Sequence, residues 1–406
     1  MRDIGPIWRA IMRNKAGYVL IALQIAVTMA LMVNAIAIVQ ERTRLMERDT
    51  GVDEAGIFTL VSAGFDPDLE IQPLVAEDLD IIRNYPGVIA ATTSNSLPIR
   101  MGGWGQDFQV EPGQDKDSQG NGIYFVDEMG IDAFGLEVIA GRNFTPTEVN
   151  WFDPESDDQW PAVSIVSASL ATALFPDTPL DEIIGNTVYV NVDEPITIIG
   201  IVEKLQAAWP GWQYIENASL IPMYRAFNAS RYVIRTEASE RDRIIPAIET
   251  LLAEHNTGRL IRSTKTMTQI RIDAYLSDVA MIRMLIFIVI LLTAITSLGI
   301  VGLASFSVAR RTRQIGTRRA LGASRSAILR YFLVENFLIS STGIVVGALL
   351  AVGLNVFMVQ QFSLTPLAWY MIPSAMVVLW MVGQVAVYGP ARRASLVPPA
   401  IATRTV

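Results

Sequence analysis

The chain carries few of the side chains that perform enzyme chemistry. It has 406 residues with no cysteine and one histidine, His255, which lies late in a polar segment typical of a solvated surface helix. Thiol catalysis, histidine-based triads and histidine or cysteine metal clusters are therefore excluded. No G-x-x-x-x-G-K-[ST] loop is present, and the glycine-rich stretch at 101–106 (MGGWGQ) does not form G-x-G-x-x-G. We predict no catalytic residue, no metal site and no cofactor in this chain.

The most unusual stretch is a concentration of positive charge at 309–324, here called the basic segment. Its sequence, ARRTRQIGTRRALGAS, holds five arginines and no acid. We predict a helix to about Leu321, with Gly322 at the left-handed position after it and Ser324 capping the next helix. A short loop between two apolar runs does not suit nucleic acid. Orientation in a membrane would need fewer positive residues than this segment contains. It would also not explain the small and apolar residues among the arginines. We therefore interpret the segment as a docking surface for another protein.

The composition indicates that the basic segment lies between membrane-spanning helices. Hydrophobic residues make up 51% and charged residues 18% of the chain, and its mean hydropathy is +0.35. Four apolar runs reach the roughly 20 residues that a spanning helix needs. The predicted order is a cytoplasmic N-terminus (1–16), a first transmembrane helix (17–39), a periplasmic α+β domain with helical stalk ends (40–278), a second helix (279–308), a cytoplasmic coupling loop (309–330), a third helix (331–358), a short periplasmic loop (359–369), a fourth helix (370–389) and a cytoplasmic C-terminus (390–406).

Charge fixes the predicted orientation of these spans. Residues 40–278 hold 38 acids and 17 basic residues, a net charge of 17 − 38 = −21. Most other basic residues flank the spans at the two termini and in the basic segment, which places those three regions on the cytoplasmic side. A cleaved signal peptide is the less favoured interpretation of residues 17–39, because the uncharged run is longer than a signal core of roughly 7–15 residues.

The large domain is predicted to be α+β with two subdomains. Strand, helix and strand patterns recur at 56–94 and at 231–264, and we expect these two ends to pack together, with residues 100–228 inserted between them. Residues 38–48 and 266–283 are predicted to continue as helices into the first and second spans. Flexible linkers, the alternative, would be rich in glycine, serine and proline.

Small and charged residues within the spans indicate helix packing. Gly343 and Gly347 form a G-x-x-x-G pair, and Gly299 and Gly302 give the second span a small face. Packing within one subunit and dimerisation explain them equally well. Glu335 lies just inside the third span. We predict that it forms a structural ion pair with Arg330, in preference to an ion or proton relay.

The basic segment and its continuation resemble a known family. ARRTRQIGTRRALGASRSAILRYFLVE is similar to the cytoplasmic coupling segment of MacB/FtsX-type ABC transporter permeases, whose pattern is close to R-x-[RK]-E-I-G-x-x-[RK]-A-L-G-A-[ST]. Gln314 stands where the family usually has Glu. This difference removes one possible salt bridge to the ATPase but does not change the resemblance to the family. The ending PARRASLVPPAIATR resembles the family through Pro390, Ala391, Ala394, Pro399, Ala402 and Arg404. Residues 135–145 and 167–190 resemble its periplasmic core.

The resemblance implies a set of residues that couple the chain to an ATPase. They are Arg311, Arg313, Gln314, Ile315, Gly316, Arg318, Arg319, Ala320, Leu321, Gly322 and Ser324. Among them, we expect Ile315, Ala320 and Leu321 to be buried in a groove of the ATPase. Arg318 and Arg319 are expected to meet carboxylates at the rim of that groove.

The resemblance also implies a function, which is to move the periplasmic domain when a cytoplasmic ATPase hydrolyses ATP. We expect the permease subunit of an ABC exporter of drugs, peptides or other periplasmic molecules in a bacterial inner membrane. ATP and magnesium are expected in separate ATPase subunits, because about sixteen residues precede the first span. A second permease, identical or different, completes the expected dimer. Participation of a periplasmic adaptor and an outer-membrane channel stays open.

Two alternatives remain at this stage. One is a permease of the same family that releases lipoproteins or regulates a cell-wall hydrolase. The other is a membrane sensor that transports nothing, with an outer domain that binds a ligand and a basic segment that docks a signalling protein.

Overall fold

The computed structural model describes residues 15–66, 70–152, 160–225, 229–362 and 366–398. These residues divide into two compact units, Met1–Glu47 with Ser277–Val406, and Arg48–Leu276. The first is called the membrane unit and the second the outer unit. The basic residues predicted to flank the first span, at 2–13, and the family residues Pro399, Ala402 and Arg404 lie outside the described residues.

The regular elements are numbered along the chain. The helices are α1 (Lys15–Met46), α2 (Ile71–Arg83), α3 (Gly130–Phe134), α4 (Ala168–Leu174), α5 (Leu180–Ile183), α6 (Arg241–His255), α7 (Met267–Ala274), α8 (Leu276–Ala320), α9 (Arg325–Phe362) and α10 (Met371–Ser395). The strands are β1 (Ile57–Gly64), β2 (Val88–Thr93), β3 (Trp104–Gln109), β4 (Ser118–Val126), β5 (Val138–Gly141), β6 (Asn150–Trp151), β7 (Val163–Ser167), β8 (Thr187–Val190), β9 (Glu194–Val202), β10 (Ala218–Tyr224), β11 (Ala229–Thr236) and β12 (Arg259–Thr266).

A four-stranded antiparallel sheet joins the two ends of the outer unit. Its order is β12-β1-β11-β2, so strands from the start and the end of the unit alternate in space. Apolar side chains on one face, such as Phe58 and Ile234, pack against Val75 of α2 and Ile248 of α6. The predicted packing of the two ends around an insertion is confirmed.

A fully buried ion pair lies within the core of this four-stranded subdomain. The guanidinium of Arg259 donates to a carboxylate oxygen of Asp78, and neither side chain is exposed. The hydroxyl of Tyr232 donates to the same oxygen at 2.6 Å. Removal of one partner of such a pair leaves a buried charge uncompensated, so the cluster holds α2 in one position on the sheet.

The insertion forms a second, eight-stranded sheet. Seven strands follow the order β4-β3-β8-β9-β7-β10-β6, and β5 pairs with β9. An additional parallel pairing of β10 with β4 connects two strands of this path and closes six of them into a ring. Phe108, Val166 and Ile198 belong to its apolar core, which α4 and α5 cover. The predicted α+β architecture with two subdomains is therefore correct.

The helical stalks differ on the two sides of the outer unit. Helix α1 continues to Met46, well past the predicted end of the span, as expected. The second stalk is not one helix, because α7 ends at Ala274 and α8 begins at Leu276. Tyr275 between them is buried and has a non-helical backbone, with φ of −107° and ψ of 12°.

Four helices of the membrane unit, α1, α8, α9 and α10, are long and apolar enough to cross a membrane. The two glycines of the G-x-x-x-G pair lie where α9 meets α1. A Cβ atom at Gly343 would lie 2.6 Å from the carbonyl oxygen of Ala22, and one at Gly347 would lie 2.7 Å from that of Ala26. These glycines therefore permit close packing within one chain.

The small face of α8 is used only in part. A Cβ atom at Gly299 would lie 2.6 Å from the side-chain oxygen of Gln24, so this glycine makes room for a polar side chain of α1. No atom of the described residues lies within 4 Å of a Cβ placed at Gly302. Of the two explanations left open, packing within one chain therefore does not account for Gly302. Its position on α8 faces away from the other three spans.

Polar side chains connect the spans. Thr28 of α1 and Thr296 of α8 share a hydrogen bond of 2.8 Å between their hydroxyls. The amide of Asn34 donates to the carbonyl oxygen of Ala351 at 3.1 Å, which joins α1 to α9. Such bonds fix the registers of neighbouring helices where apolar packing alone is permissive.

Candidate functional site

The basic segment is a helix, a tight break and a second helix, as predicted. Helix α8 ends at Ala320, and Gly322 follows with φ of +94°, a left-handed conformation that favours glycine. The amide of Ala323 donates to the carbonyl of Arg318 at 3.0 Å, and that of Gly322 donates to Arg319 at 3.1 Å. This pattern is the Schellman motif, which satisfies the last carbonyls of a helix.

Helix α9 begins immediately after this break. The hydroxyl of Ser324 accepts a hydrogen bond from the amide of Ala327 at 3.1 Å. Ser324 is therefore the N-cap of α9, as predicted. The break between the two long helices is four residues long, which makes the turn short and well defined.

The inward side of the turn is a small apolar core, here called the inner cluster. Its members are Ile315, Ile328, Phe332, Ala391 and Ala394, all of them buried. It joins the end of α8, the start of α9 and the end of α10. Ile315 is 5% exposed, and Gly316 beside it is also buried. The prediction that Ile315 enters a groove of a partner is wrong, because its side chain already forms part of this core.

The outward side of the same helix is exposed and is here called the coupling surface. Gln314, Thr317, Arg318 and Leu321 follow one another at helical spacing, and all four are exposed. Leu321 is 83% exposed, at the tip of the turn. Leu321 is thus an apolar side chain exposed among positive ones, on a turn whose other side is buried.

The remaining arginines of the basic segment differ in their surroundings. Arg313 is exposed beside the coupling surface. The guanidinium of Arg318 lies 5.1 Å from the ring centre of Tyr331, which orients it along the surface. Arg319 is half-buried and donates to the carbonyl oxygen of Ala323 at 3.0 Å. It therefore stabilises the turn, in contrast to the predicted position at the rim of a partner groove.

Arg311 belongs to a polar group inside the membrane unit, here called the polar triad. Its guanidinium lies 3.0 Å from the carboxylate of Glu335 on α9 and donates to the hydroxyl oxygen of Tyr18 on α1 at 2.9 Å. The Tyr18 hydroxyl donates to the same carboxylate at 2.8 Å. Glu335 is buried, so its charge is balanced by Arg311 and by hydrogen bonds. The triad joins α1, α8 and α9.

The predicted ion pair between Arg330 and Glu335 is wrong. Both residues lie on α9, five positions apart, which places them roughly 140° apart around the helix at 3.6 residues per turn. Arg330 is exposed, whereas Glu335 faces the interior. The prediction of a structural ion pair for Glu335 is nevertheless correct in kind, with Arg311 as its partner.

Several residues of this site were missed by the sequence analysis. Tyr18 and Phe332 were not singled out, and Ala391 was matched only as part of a C-terminal pattern. One signal was available for Tyr331, since it precedes Glu335 by one helical turn and its hydroxyl lies 3.4 Å from Arg311. The remaining contacts join residues about 20 to 317 positions apart in the chain, which no local pattern reports.

The turn therefore has one side buried against the spans and one side exposed. The inner cluster and the polar triad tie it to all four spans, and the coupling surface faces outward. A force applied to Leu321 would reach α1, α8, α9 and α10 through contacts that are already made.

Comparisons with known proteins cover most of the chain. Residues 18–254 match the MacB-like periplasmic core domain, and residues 286–397 match the FtsX-like permease C-terminal domain. The first match alone covers more than half of the chain. The second includes the basic segment, the inner cluster and Glu335.

Two relatives have similar sequences over most of this chain. The chain is 25% identical over 352 residues to the macrolide export ATP-binding/permease protein MacB of Azoarcus sp. (strain BH72), covering 81% of this chain and 48% of that protein. It is 27% identical over 350 residues to the protein of the same name from Hyphomonas neptunium, covering 82% and 49%. The chain thus spans about half the length of the relatives it matches.

Two solved structures are also similar to part of the chain. One is the extracellular domain of the noncanonic ABC-type transporter YknZ from Gram-positive bacteria, with 17% identity and a TM-score of 0.32 over 50% of this chain and 100% of that one. The other is a domain of a putative permease protein from Porphyromonas gingivalis, with 16% identity and a TM-score of 0.30 over 53% and 92%.

Proposed function

Because this chain belongs to the MacB and FtsX-type family of ABC transporter permeases, we propose that it couples ATP hydrolysis by a separate ATPase subunit to movement of its outer unit. The coupling surface binds the ATPase, and the turn transmits the motion of the ATPase to the four spans. No step of ATP hydrolysis is assigned to this chain. ATP and magnesium belong to the partner.

One observation carries this proposal. Within the same turn, Ile315 is buried in the chain's own core and Leu321 is 83% exposed. An orientation signal requires positive charge and no exposed leucine. A docking surface requires an apolar centre with a charged rim, and Leu321 with Arg318 and Arg313 supplies both.

The partners and the location follow from the family and from the charge pattern. Two permease chains, identical or different, act with the ATPase subunits in a bacterial inner membrane, and the acidic outer unit lies in the periplasm. The substrates are drugs, peptides or other periplasmic molecules.

The test is reconstitution with an ATPase. The full chain is co-expressed with ABC ATPase subunits of the source genome, purified in lipid nanodiscs, and assayed for ATP hydrolysis alone and as a complex. We expect no hydrolysis by the chain alone and hydrolysis by the complex that changes with added substrate. A stable complex with a signalling protein and with no ATPase would favour the sensor function. Stimulation by a lipoprotein, or activation of a cell-wall hydrolase, would favour the other branches of the family.

A further inference from the structure

Two partly buried arginines of the outer unit, Arg100 and Arg231, are not among those that form an ion pair with a carboxylate. The arginines of this unit that form ion pairs are Arg83, Arg142, Arg235, Arg241, Arg243, Arg259 and Arg271. Among the residues that the structure describes, Arg100 and Arg231 form none. Carboxylates are in excess in this part of the chain, since residues 40–278 hold 38 acids and 17 basic residues.

Arg100 is presented by a strained loop. The residues on both sides of it, Ile99 and Met101, have φ of 55° and 66°, in the left-handed region that side chains other than glycine rarely adopt. Their amides donate to the carbonyl oxygens of Ala207 and Ala208 at 3.1 and 2.8 Å. Strain of this kind is costly and is concentrated at functional sites. The loop therefore holds Arg100 in a position that local preference does not favour.

Arg231 lies next to this loop on β11. Its backbone carbonyl accepts from the amide of Ser94 at 3.0 Å, and its guanidinium donates to the carbonyl oxygen of Asn95. The Nε atom is buried and has no hydrogen-bond partner among the described residues. One strong donor of this side chain is therefore unsatisfied, which is costly in a protein interior.

The two guanidiniums act on each other. Burial, together with the nearby charge of Arg100, lowers the pKa of Arg231 to about 10. Burial also lowers the pKa of Arg100. Both arginines stay charged at neutral pH, so two like charges are held close together with part of their hydration removed. An anion placed between them would relieve both costs.

We propose that Arg100 and Arg231 bind an oxyanion, namely a carboxylate, sulfate or phosphate group of a small molecule that reaches the outer unit. Guanidinium groups match the oxygens of these anions through paired N–H donors. The site lies in the outer unit, remote in sequence from the basic segment, and does not depend on coupling to an ATPase.

The experiment uses the full chain in lipid nanodiscs and follows its unfolding by tryptophan fluorescence. Sodium sulfate, phosphate and acetate are titrated against sodium chloride at matched ionic strength. We expect a saturable rise of the melting temperature with at least one of these oxyanions, because a ligand that binds the folded state stabilises it. The anion that acts at the lowest concentration distinguishes a tetrahedral headgroup from a carboxylate. Equal melting temperatures in all four salts would overturn the proposal.

Three variants make the result specific. Arg100→Gln and Arg231→Gln should each remove the oxyanion response, whereas Arg243→Gln, which changes the same charge in an exposed surface pair, should retain it. In chloride alone, Arg100→Gln should be at least as stable as the parent, because it removes a like-charge repulsion. An Arg100→Gln protein that is destabilised in every salt, or that retains the oxyanion response, would show that Arg100 has a structural role only. Arg100 is half-buried on a loop, so this variant keeps the test usable if Arg231→Gln does not fold.

Discussion

Glu335 is the residue on which the inner ends of three membrane helices converge. Its carboxylate forms an ion pair with the guanidinium of Arg311 on α8 at 3.0 Å. It also accepts a hydrogen bond from the hydroxyl of Tyr18 on α1 at 2.8 Å. Pairing of a buried charge contributes little net stability compared with apolar packing, but loss of one partner is costly. The triad therefore specifies how the helices meet.

Glu335→Gln should destabilise the membrane unit. Removal of one charge from a buried pair costs about 3–5 kcal/mol, since Arg311 is left uncompensated. Arg330→Gln is the matched control on the same helix and should have little effect, because Arg330 is exposed. The measurement is the melting temperature in detergent. A larger loss for Arg330→Gln than for Glu335→Gln would contradict the ion pair described above. The double variant Arg311→Met with Glu335→Gln should recover much of the loss.

Asp78 has the corresponding role in the outer unit. Asp78→Ala should lower the free energy of unfolding by about 3–5 kcal/mol, because it leaves Arg259 buried without its carboxylate. Asp80→Ala, an exposed position on the same helix, should change it by less than about 0.5 kcal/mol. Urea unfolding of the full chain, followed by tryptophan fluorescence, measures both. Similar losses for the two variants would show that the buried pair is unimportant.

At the scale of elements, close contact between α9 and α1 holds the membrane unit together. Gly343 and Gly347 lie on the face of α9 that meets the backbone of α1. Glycine at these two positions removes side-chain volume where two helix backbones approach, and this allows many dispersion contacts in a lipid environment. Within the described chain, helix α8 is the least buried of the four apolar helices.

Gly347→Val should disrupt the packing of α9 on α1. Its Cβ atom would lie 2.7 Å from the carbonyl oxygen of Ala26, and backbone atoms cannot move aside as a flexible side chain can. Gly302→Val places the same side chain at a position without neighbours in the described chain. The melting temperature in detergent should fall by several degrees for the first variant and hardly change for the second. The opposite order would mean that the helices meet on other faces.

Elements that follow from local chemistry were predicted well. The turn between α8 and α9 was predicted because Gly322 and Ser324 are a helix stop and a helix start that act within a few residues. The two-subdomain outer unit was predicted from recurring strand and helix patterns at its ends.

The predictions that failed concern residues whose contacts are distant along the chain. Ile315 belongs to a core completed by Ala391 and Ala394, more than 70 residues away, and the sequence around it does not reveal which side of the helix faces inward. Charges alone suggested Arg330 as the partner of Glu335, but helical geometry places it on another face. The break at Tyr275, a buried residue with a non-helical backbone, interrupts a stretch whose sequence pattern is helical throughout.

At the scale of the whole molecule, the charge pattern predicts that the outer unit and the basic segment lie on opposite sides of the membrane. The chain has no cysteine, so single cysteines can be introduced cleanly. Asp117 and Thr317 are both exposed and suit this purpose. In intact cells, an impermeant thiol reagent should label Asp117→Cys and should not label Thr317→Cys. Labelling of Thr317→Cys with protection of Asp117→Cys would invert the topology.

The most direct test of coupling is the affinity of the chain for its ATPase when Leu321 is changed to Asp. Burial of one leucine stabilises a contact by roughly 1.5–3 kcal/mol. Its replacement by a charge should therefore weaken the complex tenfold or more, since about 1.4 kcal/mol corresponds to a factor of ten. The control is Leu260→Asp, a change at an exposed leucine of the outer unit, which should bind as the parent does. Both variants should insert with normal topology. An unchanged dissociation constant and unchanged ATP hydrolysis for Leu321→Asp would show that the basic segment only orients the chain.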